Sequence, residues 1–408
     1  MIHNRRTSAE KIFSRVTGKD VKAGEFVWAK PDLVYLHDVL GPMTIEAMKR
    51  IDNGKVRFTG QIVVVNDHIF PPKDVTSSNN EKNLVEFAKN RGWIVIPWGE
   101  GIEHTLLIEK GIILPGMLVA GTDSHTVTAG AVGAMGVGLG ATDMAALISI
   151  GKLWFKVPET ILVKVHGKKG KFVTGKDVVL KILSILGTNG ANYKSIEVRL
   201  DKECGLSQDD SLAIANMTVE AGAKTSIIMN EAVNKVRTDI ISDYRSDYEE
   251  LDLGMEEMVP LIAAPYLPSN VKPVSDYEGI DVDQVYIGNC SNGTLSDMRE
   301  TAKILKGNHV KAGVKLIIVP ATRNIYKQAL EEGLIRVFVE AGATVAPSTC
   351  GACAGLHMGV LAKDEVCITN INRNFRGRMG DSSSKVYIAN SYVAAASAIS
   401  GKITVPGE

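Results

Sequence analysis

Short runs of Val, Ile and Leu recur along the chain, and segments with helical spacing alternate with them. "QIVVVND" (61–67) is apolar from Ile62 to Val65, which predicts a strand buried on both faces, as in a parallel sheet. "SSNNEKNLVEFAKNRG" (77–92) predicts a helix. Ser78 and Glu81 fit a capping box, Leu84, Val85, Phe87 and Ala88 make one apolar face, and Gly92 closes it. "WIVIPW", "MLVAG", "QVYIGN", "KLIIVPA" and "ATVAP" are further strand candidates, and "SDMRETAKILKG" is another glycine-closed helix. Alternation of this kind predicts α/β layers with mostly parallel sheets. The texture changes from about Val165 to Ser275, with the helical "GKDVVLKILSILG" and the polar "DYRSDYEELD", and a second domain is expected there.

The polar residues fall at telling places. Asp67 and His68 follow "QIVVV", Glu100 and His104 follow "WIVIPW", and Asp123, Ser124 and His125 follow "MLVAG". Cys290 follows "VYIGN", and Cys350 and Cys353 follow "ATVAP". Ligands of open α/β sheets bind outside the carboxyl ends of the strands, so these residues are expected to share one site.

Composition narrows the classes. Of 408 residues 45% are hydrophobic and 23% charged, as in a globular chain of two or three domains. Lys+Arg and Asp+Glu are both 46, so the basic excess of a dedicated nucleic-acid binder is missing. "MIHNRRTSAEKIF" has no apolar segment behind its arginines, and a cytoplasmic location is expected. "GAVGAMGVGLGATDMAALISIG" is glycine-rich and interrupted by Asp143, which predicts burial and not a membrane span. "GVGLGATDMA" lacks the G-x-G-x-x-G spacing and is not expected to start directly after a strand, so it is not read as a dinucleotide site.

Five cysteines without an export signal point to metal or catalytic use more than to disulfides. Cys350 and Cys353 form a C-x-x-C in the glycine-rich turn "VAPSTCGACAGLHMG". That pair fits a redox couple, a zinc site completed by Cys290 and His357, or an iron–sulfur cluster using Cys290. Cys204 and Cys367 have no motif and are expected to be buried apolar residues.

Taken together, "GTDSHTVTAGAVGAMGVGLGATDMA", "GKLWFKVPET", "IANMTVEAGA", "YIGNCSNG", "CGACAGLHMGVL" and "NRNFRGRMG" resemble, in order, the signatures of the aconitase superfamily, and of its separate large subunits in particular. The resemblance implies three α/β/α domains around a central cleft, drawn at 1–165, 166–275 and 276–408. It implies a [4Fe–4S] cluster on Cys290, Cys350 and Cys353, with Asn216, Asn292 and Asn372 around it. Asp67 and His68 match the pair that protonates a leaving hydroxyl, and His104, Asp123, His125 and Glu220 match the rest of the catalytic set. His37, Ser124, Arg373 and Arg378 match substrate-contacting residues. The implied activity is dehydration and rehydration of a malate-type hydroxy di- or tricarboxylate. An isopropylmalate substrate comes first, homoaconitate or homocitrate second, and methylmalate or citraconate third. An RNA-binding apo form and a structural zinc protein are the readings from other classes. The family's usual Cys-Thr-Asn-Gly is Cys-Ser-Asn-Gly here, Thr294 follows where arginine is usual, and Cys-Gly-Pro-Cys is "CGAC". No Gly-Ser-Ser-Arg-like loop is found; "GDSSSKVY" is the nearest string. A small partner subunit is therefore expected to supply the serine base and to close the cleft.

Overall fold

The computed structural model describes residues 6–233, 239–243 and 249–407. Its first sheet is wholly parallel, in the order Ile94–Val95, Gln61–Val65, Leu33–His37, Leu118–Gly121, Met135–Gly138. Leu33–His37 is buried at every position and Gln61–Val65 at all but the first, because apolar clusters cover both faces. Parallel strands need crossover connections, supplied here by helices such as Leu40–Asp52 and Val75–Lys89. All carboxyl ends therefore lie along one edge, and the loops after His37, Val65 and Gly121 gather there.

A second parallel sheet runs Thr225–Asn230, Ser195–Leu200, Thr160–His166, Glu249–Gly254. The third has seven strands, in the order Val271–Pro273, Leu261–Ala263, Lys385–Ile388, Val366–Thr369, Gln284–Gly288, Lys315–Val319, Thr344–Val345. Only Leu261–Ala263 pairs antiparallel with its neighbours. A two-stranded antiparallel ribbon joins Phe26–Ala29 to Leu153–Lys156. Each larger sheet has its own apolar core. Of "DYRSDYEELD", residues 244–248 lie outside the described residues, and Glu249 to Asp252 belong to the strand Glu249–Gly254.

Some local readings need correction. The helix expected from Ser78 begins one turn earlier, at Val75. Asp74 caps it by accepting from the Ser77 N–H at 2.7 Å, and Ser77 Oγ accepts from the Asp74 N–H at 3.1 Å. Such a cap contributes about 1 kcal/mol. "WIVIPW" and "ATVAP" yield two-residue strands only. Thr294, unusual against the family pattern, is the N-cap of Leu295–Leu305 in a box with Asp297. The glycine-rich stretch folds as a 3-10 segment Ser124–Val132, the strand Met135–Gly138 and the helix Ala141–Ile150. Gly136 and Gly138 thus lie inside a strand, and "GVGLGATDMA" starts within that strand and not directly after one. A Cβ on Gly136 would collide with the Thr126 carbonyl, so glycine there lets the 3-10 segment lie flat against the strand. Among the described residues no helix is long and apolar enough to cross a membrane.

Candidate active site

The loops at the carboxyl edge of the first sheet hold a dense histidine–carboxylate network. His68 Nδ1 lies 2.7 Å from Asp67 Oδ1, and Asp67 Oδ2 accepts from the Glu103 N–H at 2.7 Å. Asp38 fixes this loop from below, accepting from the backbone N–H groups of Asp67, His68 and Ile69 at 3.2, 2.9 and 2.7 Å. Burial disfavours a charged His68, but the Asp67 carboxylate, then Asp123 and Glu103, outweigh it and hold the imidazolium well above its ordinary range. Burial pushes Asp67 up, and the opposing charge and hydrogen bond of His68 bring it below the usual carboxylate range.

Asp123 is the hub. Its Oδ1 lies 2.9 Å from His104 Nε2 and 3.1 Å from His125 Nδ1, and its Oδ2 lies 3.8 Å from His68 Nε2. Three imidazoles overcome its burial and hold it well below the ordinary value. At 20% exposure it is the most open member, so the network faces solvent at this point. His104 is anchored from behind by the Tyr35 hydroxyl at 3.1 Å, and burial lowers its pKa. His37 stacks on His68 with centroids 4.0 Å apart. Its Nε2 is buried without a partner, and burial, then the His68 charge, lower it to about 3.

The third sheet supplies the opposite wall. Cys290 follows Gln284–Gly288 through Asn289, whose φ of 87° turns the chain sharply. Cys350 and Cys353 flank and enter the 3-10 turn Gly351–Ala354. The three thiols are buried and converge. Asn216 Nδ2 reaches Cys290 Sγ at 3.3 Å and Asn289 Nδ2 reaches Cys350 Sγ at 3.8 Å. Asn372 bridges two of the sulfurs, its Nδ2 3.7 Å from Cys290 and its Oδ1 accepting from Cys353 at 3.6 Å. Burial pushes Cys290 up, and the hydrogen bond to Cys353 followed by burial does so for Cys350. Cys353 is brought down to about 6 by its bond to Cys350 and by the Arg378 guanidinium beside it.

Does this donor set fit a metal group? A single zinc ion draws its thiolates to within about 4 Å of one another. Among the described residues no three-cysteine group is that tight. His357, the candidate fourth zinc ligand, is spent on the His68 carbonyl at 3.2 Å. Two polar atoms beside the thiols, Tyr286 Oη and Arg378 Nε, are buried without a partner. Three thiols that converge without closing to single-ion distance, sulfur-directed amides and unsatisfied donors suit a multi-atom cluster with acceptor sulfides better than one ion.

The two walls are bonded together. Cys350 N–H and Thr349 Oγ1 both donate to the Asp67 carbonyl, at 2.8 and 2.9 Å. Asn216, at the end of the helix Gln208–Met217, links Thr128 to Asn372. Glu220 Oε1 accepts from Arg373 Nε at 2.7 Å and lies 3.0 Å from His125 Nε2. Arg373 Nη2 donates to Ser124 Oγ at 2.9 Å. Asn292 lies one step back, accepting from Ser291 and donating to Asp297. Glu100 lies outside the site, paired with Lys110 and Arg323. Cys204 bonds the Val165 carbonyl in the second core, and burial pushes its thiol up to about 11. Cys367 sits on Val366–Thr369, in the apolar cluster behind the cysteine turn.

Several residues were not foreseen. Asp38 was signalled only by its place after His37 at a strand end. Glu103 is buried, its carboxylate oxygens have no hydrogen-bond partner, and burial followed by the Asp67 charge raises its pKa far above the usual range. Lys176 is buried on a helix of the second layer, and burial lowers its pKa to about 7. Nothing local in the sequence marks these two; both acquire meaning from segments distant in the chain.

The aconitase family profile (aconitate hydratase) matches residues 10–236 and 262–401. The chain belongs to the aconitase family. It is 46% identical to "3-isopropylmalate dehydratase large subunit 2" of Rubrobacter xylanophilus, over 98% of this chain and 97% of that protein. It is 42% identical to the 3-isopropylmalate dehydratase large subunit of Nautilia profundicola, over 98% and 99%. Among solved structures, the holo-form of Thermococcus kodakaraensis aconitase X shares the fold, with a TM-score of 0.56 and 13% identity over 96% of this chain and 95% of that one. As an aconitase-family chain with mostly parallel α/β sheets it is a hydro-lyase, and the site described above is where such chemistry would be sought.

Proposed function

We propose that this chain is the large, catalytic subunit of a 3-isopropylmalate dehydratase, interconverting 2- and 3-isopropylmalate in leucine biosynthesis. The observation that carries the reading is the seam between the walls: Cys350 donates to the Asp67 carbonyl, so the cysteine turn rests directly on the proton-donor loop. Cys290, Cys350 and Cys353 would hold a [4Fe–4S] cluster, which supplies a Lewis-acidic iron to the departing hydroxyl.

The chain's own residues divide the remaining work. Asp67 engages His68 Nδ1, so the proton available for transfer sits on Nε2, facing the opening beside Asp123. Protonating a hydroxyl as it leaves is general acid catalysis. His104 and His125 hold Asp123 in place. Arg373 has Nε and Nη2 engaged, which leaves Nη1 to meet a substrate carboxylate. The carbon-bound proton still needs an acceptor, and a small subunit docked over the strand-end loops would bring it and exclude water. Reduced thiols suit the cytoplasm.

The deciding experiment is anaerobic reconstitution with iron and sulfide, alone and with the cognate small subunit, against a panel of malate derivatives. Turnover is expected only from the paired subunits, with isopropylmalate the best substrate. Full activity of the single chain would overturn the subunit reading, and preference for homocitrate or methylmalate would move the assignment to those alternatives. Stoichiometric zinc in a colourless sample would overturn the cluster.

A further inference from the structure

Lys176 is the second residue of the helix Gly175–Leu186 and is fully buried. Two physical rules oppose a charged amine there. The first turn of a helix carries the positive end of its dipole, which disfavours a cation. A buried ammonium also loses hydration that neutral acceptors replace only in part. Yet its Nζ meets three uncharged acceptors: Ser291 Oγ at 2.7 Å, Met217 Sδ at 3.0 Å and the Ile371 carbonyl at 3.1 Å. The neighbouring carboxylates are committed elsewhere. Asp177 accepts from Thr174, Leu261 and Asn390, and Asp297 from Thr294, Asn292 and Ser391.

The three acceptors share a property. Met217 follows Asn216, Ser291 follows Cys290, and Ile371 precedes Asn372. Asn216 and Asn372 are the residues whose amides reach the Cys290 sulfur. The ammonium therefore grips, from behind and on three chain segments, the set of residues that surrounds one thiol of the trio.

We propose that Lys176 is a positioning residue of the cysteine site, the buried counter-cation for a cluster held by Cys290, Cys350 and Cys353. This role rests on the cluster reading above. Three thiolates bring more negative charge than an oxidised cubane core neutralises, and one-electron reduction adds another. In a poorly polarisable interior a fixed cation offsets that charge strongly. Lys176 then favours the reduced cluster and its retention, while in the empty chain its burial is offset only by three neutral acceptors and by Asp297 and Asp177 nearby.

The test compares Lys176→Met and Lys176→Arg with the unsubstituted chain, each paired with its small subunit and reconstituted anaerobically. Three quantities are read: the potential for one-electron reduction of the cluster, by paramagnetic resonance during a redox titration; iron and sulfide retained after gel filtration; and the melting temperature with and without cluster. Lys176→Met is expected to move the potential to more negative values and to lose cluster faster, while its empty form melts at the same or a higher temperature. Lys176→Arg is expected to keep potential and retention near those of the unsubstituted chain. An unchanged potential and retention in Lys176→Met overturn the proposal, and so does an equal fall in melting temperature of the empty and loaded forms. Should Lys176→Met not fold, Lys176→Gln carries the same comparison, and failure of both to fold empty makes the lysine purely structural and the proposal wrong. If the unsubstituted chain binds no iron and sulfide, the cluster reading itself falls, and this role with it, whatever the variants do.

Discussion

On the first sheet Asp123 lies against three imidazoles, and Asp38 takes three backbone N–H groups. On the third sheet three thiols are met by side-chain amides at 3.3–3.8 Å, while Tyr286 Oη and Arg378 Nε, buried beside them, have no partner. Both regions are buried and built at strand ends, but they are completed differently. The histidine wall is tied by charged hydrogen bonds between its own side chains, with His37 Nε2 and both Glu103 carboxylate oxygens left without a partner. The cysteine wall instead surrounds its sulfurs with neutral side-chain amides. In the function proposed above, the first is a proton store and the second is a seat for a group from outside.

The sharpest way to break this comparison is Cys353→Ser. It should abolish activity and lower iron and acid-labile sulfide together, with the histidine wall unchanged; normal metal content would show that the seat holds something else. Next comes His68→Ala, which should lower kcat by about 10²–10⁴-fold with full iron and sulfide content. A loss of cluster in that variant would mean that the two walls are not separable.

Asp67→Asn tests the proton store more finely. His68 is raised and Asp67 lowered, so both are charged between those two values. The stability their pairing contributes is lost as pH falls through the lowered Asp67 value and as pH rises through the raised His68 value. Activity that needs protonated His68 should likewise persist above the ordinary histidine range and fail on the alkaline side. Removing the Asp67 charge should move that alkaline limb down by about one pH unit or more, read from the pH profile of kcat. A limb that stays in place would assign it to another group.

The smallest effect is expected outside both walls. Cys204→Ala should keep full cluster content and activity and cost about 1 kcal/mol of stability, seen as a modest fall in melting temperature. Loss of iron there would contradict its place in the second core.

Much of this was legible along the chain because it is written locally. A short run such as Ile62–Val65, all β-branched, reads as a strand covered on both faces, and a parallel sheet then puts every carboxyl end on one edge. That is why Asp67, His68, Asp123 and His125 could be assigned to one place from their positions after strands; Glu100, assigned in the same way, pairs instead with Lys110 and Arg323, and Cys290, Cys350 and Cys353 come from another sheet packed against the first. Local boundaries were less secure where two caps compete: Ser78 and Glu81 match the pattern, but Asp74 and Ser77 make the bonds. What no window of sequence contains is the meeting of segments far apart. Glu103 is an ordinary first-turn acid until burial among Asp67, His68 and Asp123 strips away its water. Lys176 reads as a solvated lysine until residues 217, 291 and 371 close over it. His357 stands four residues past Cys353 and still turns to His68, not to the sulfurs. Hydrophobic periodicity is set by neighbours in the chain, so the sequence alone determined the layers and which polar residues stand at strand ends. Desolvation and charge balance depend on what is packed opposite, so only the tertiary structure decided which of those polar groups are charged, paired or left waiting.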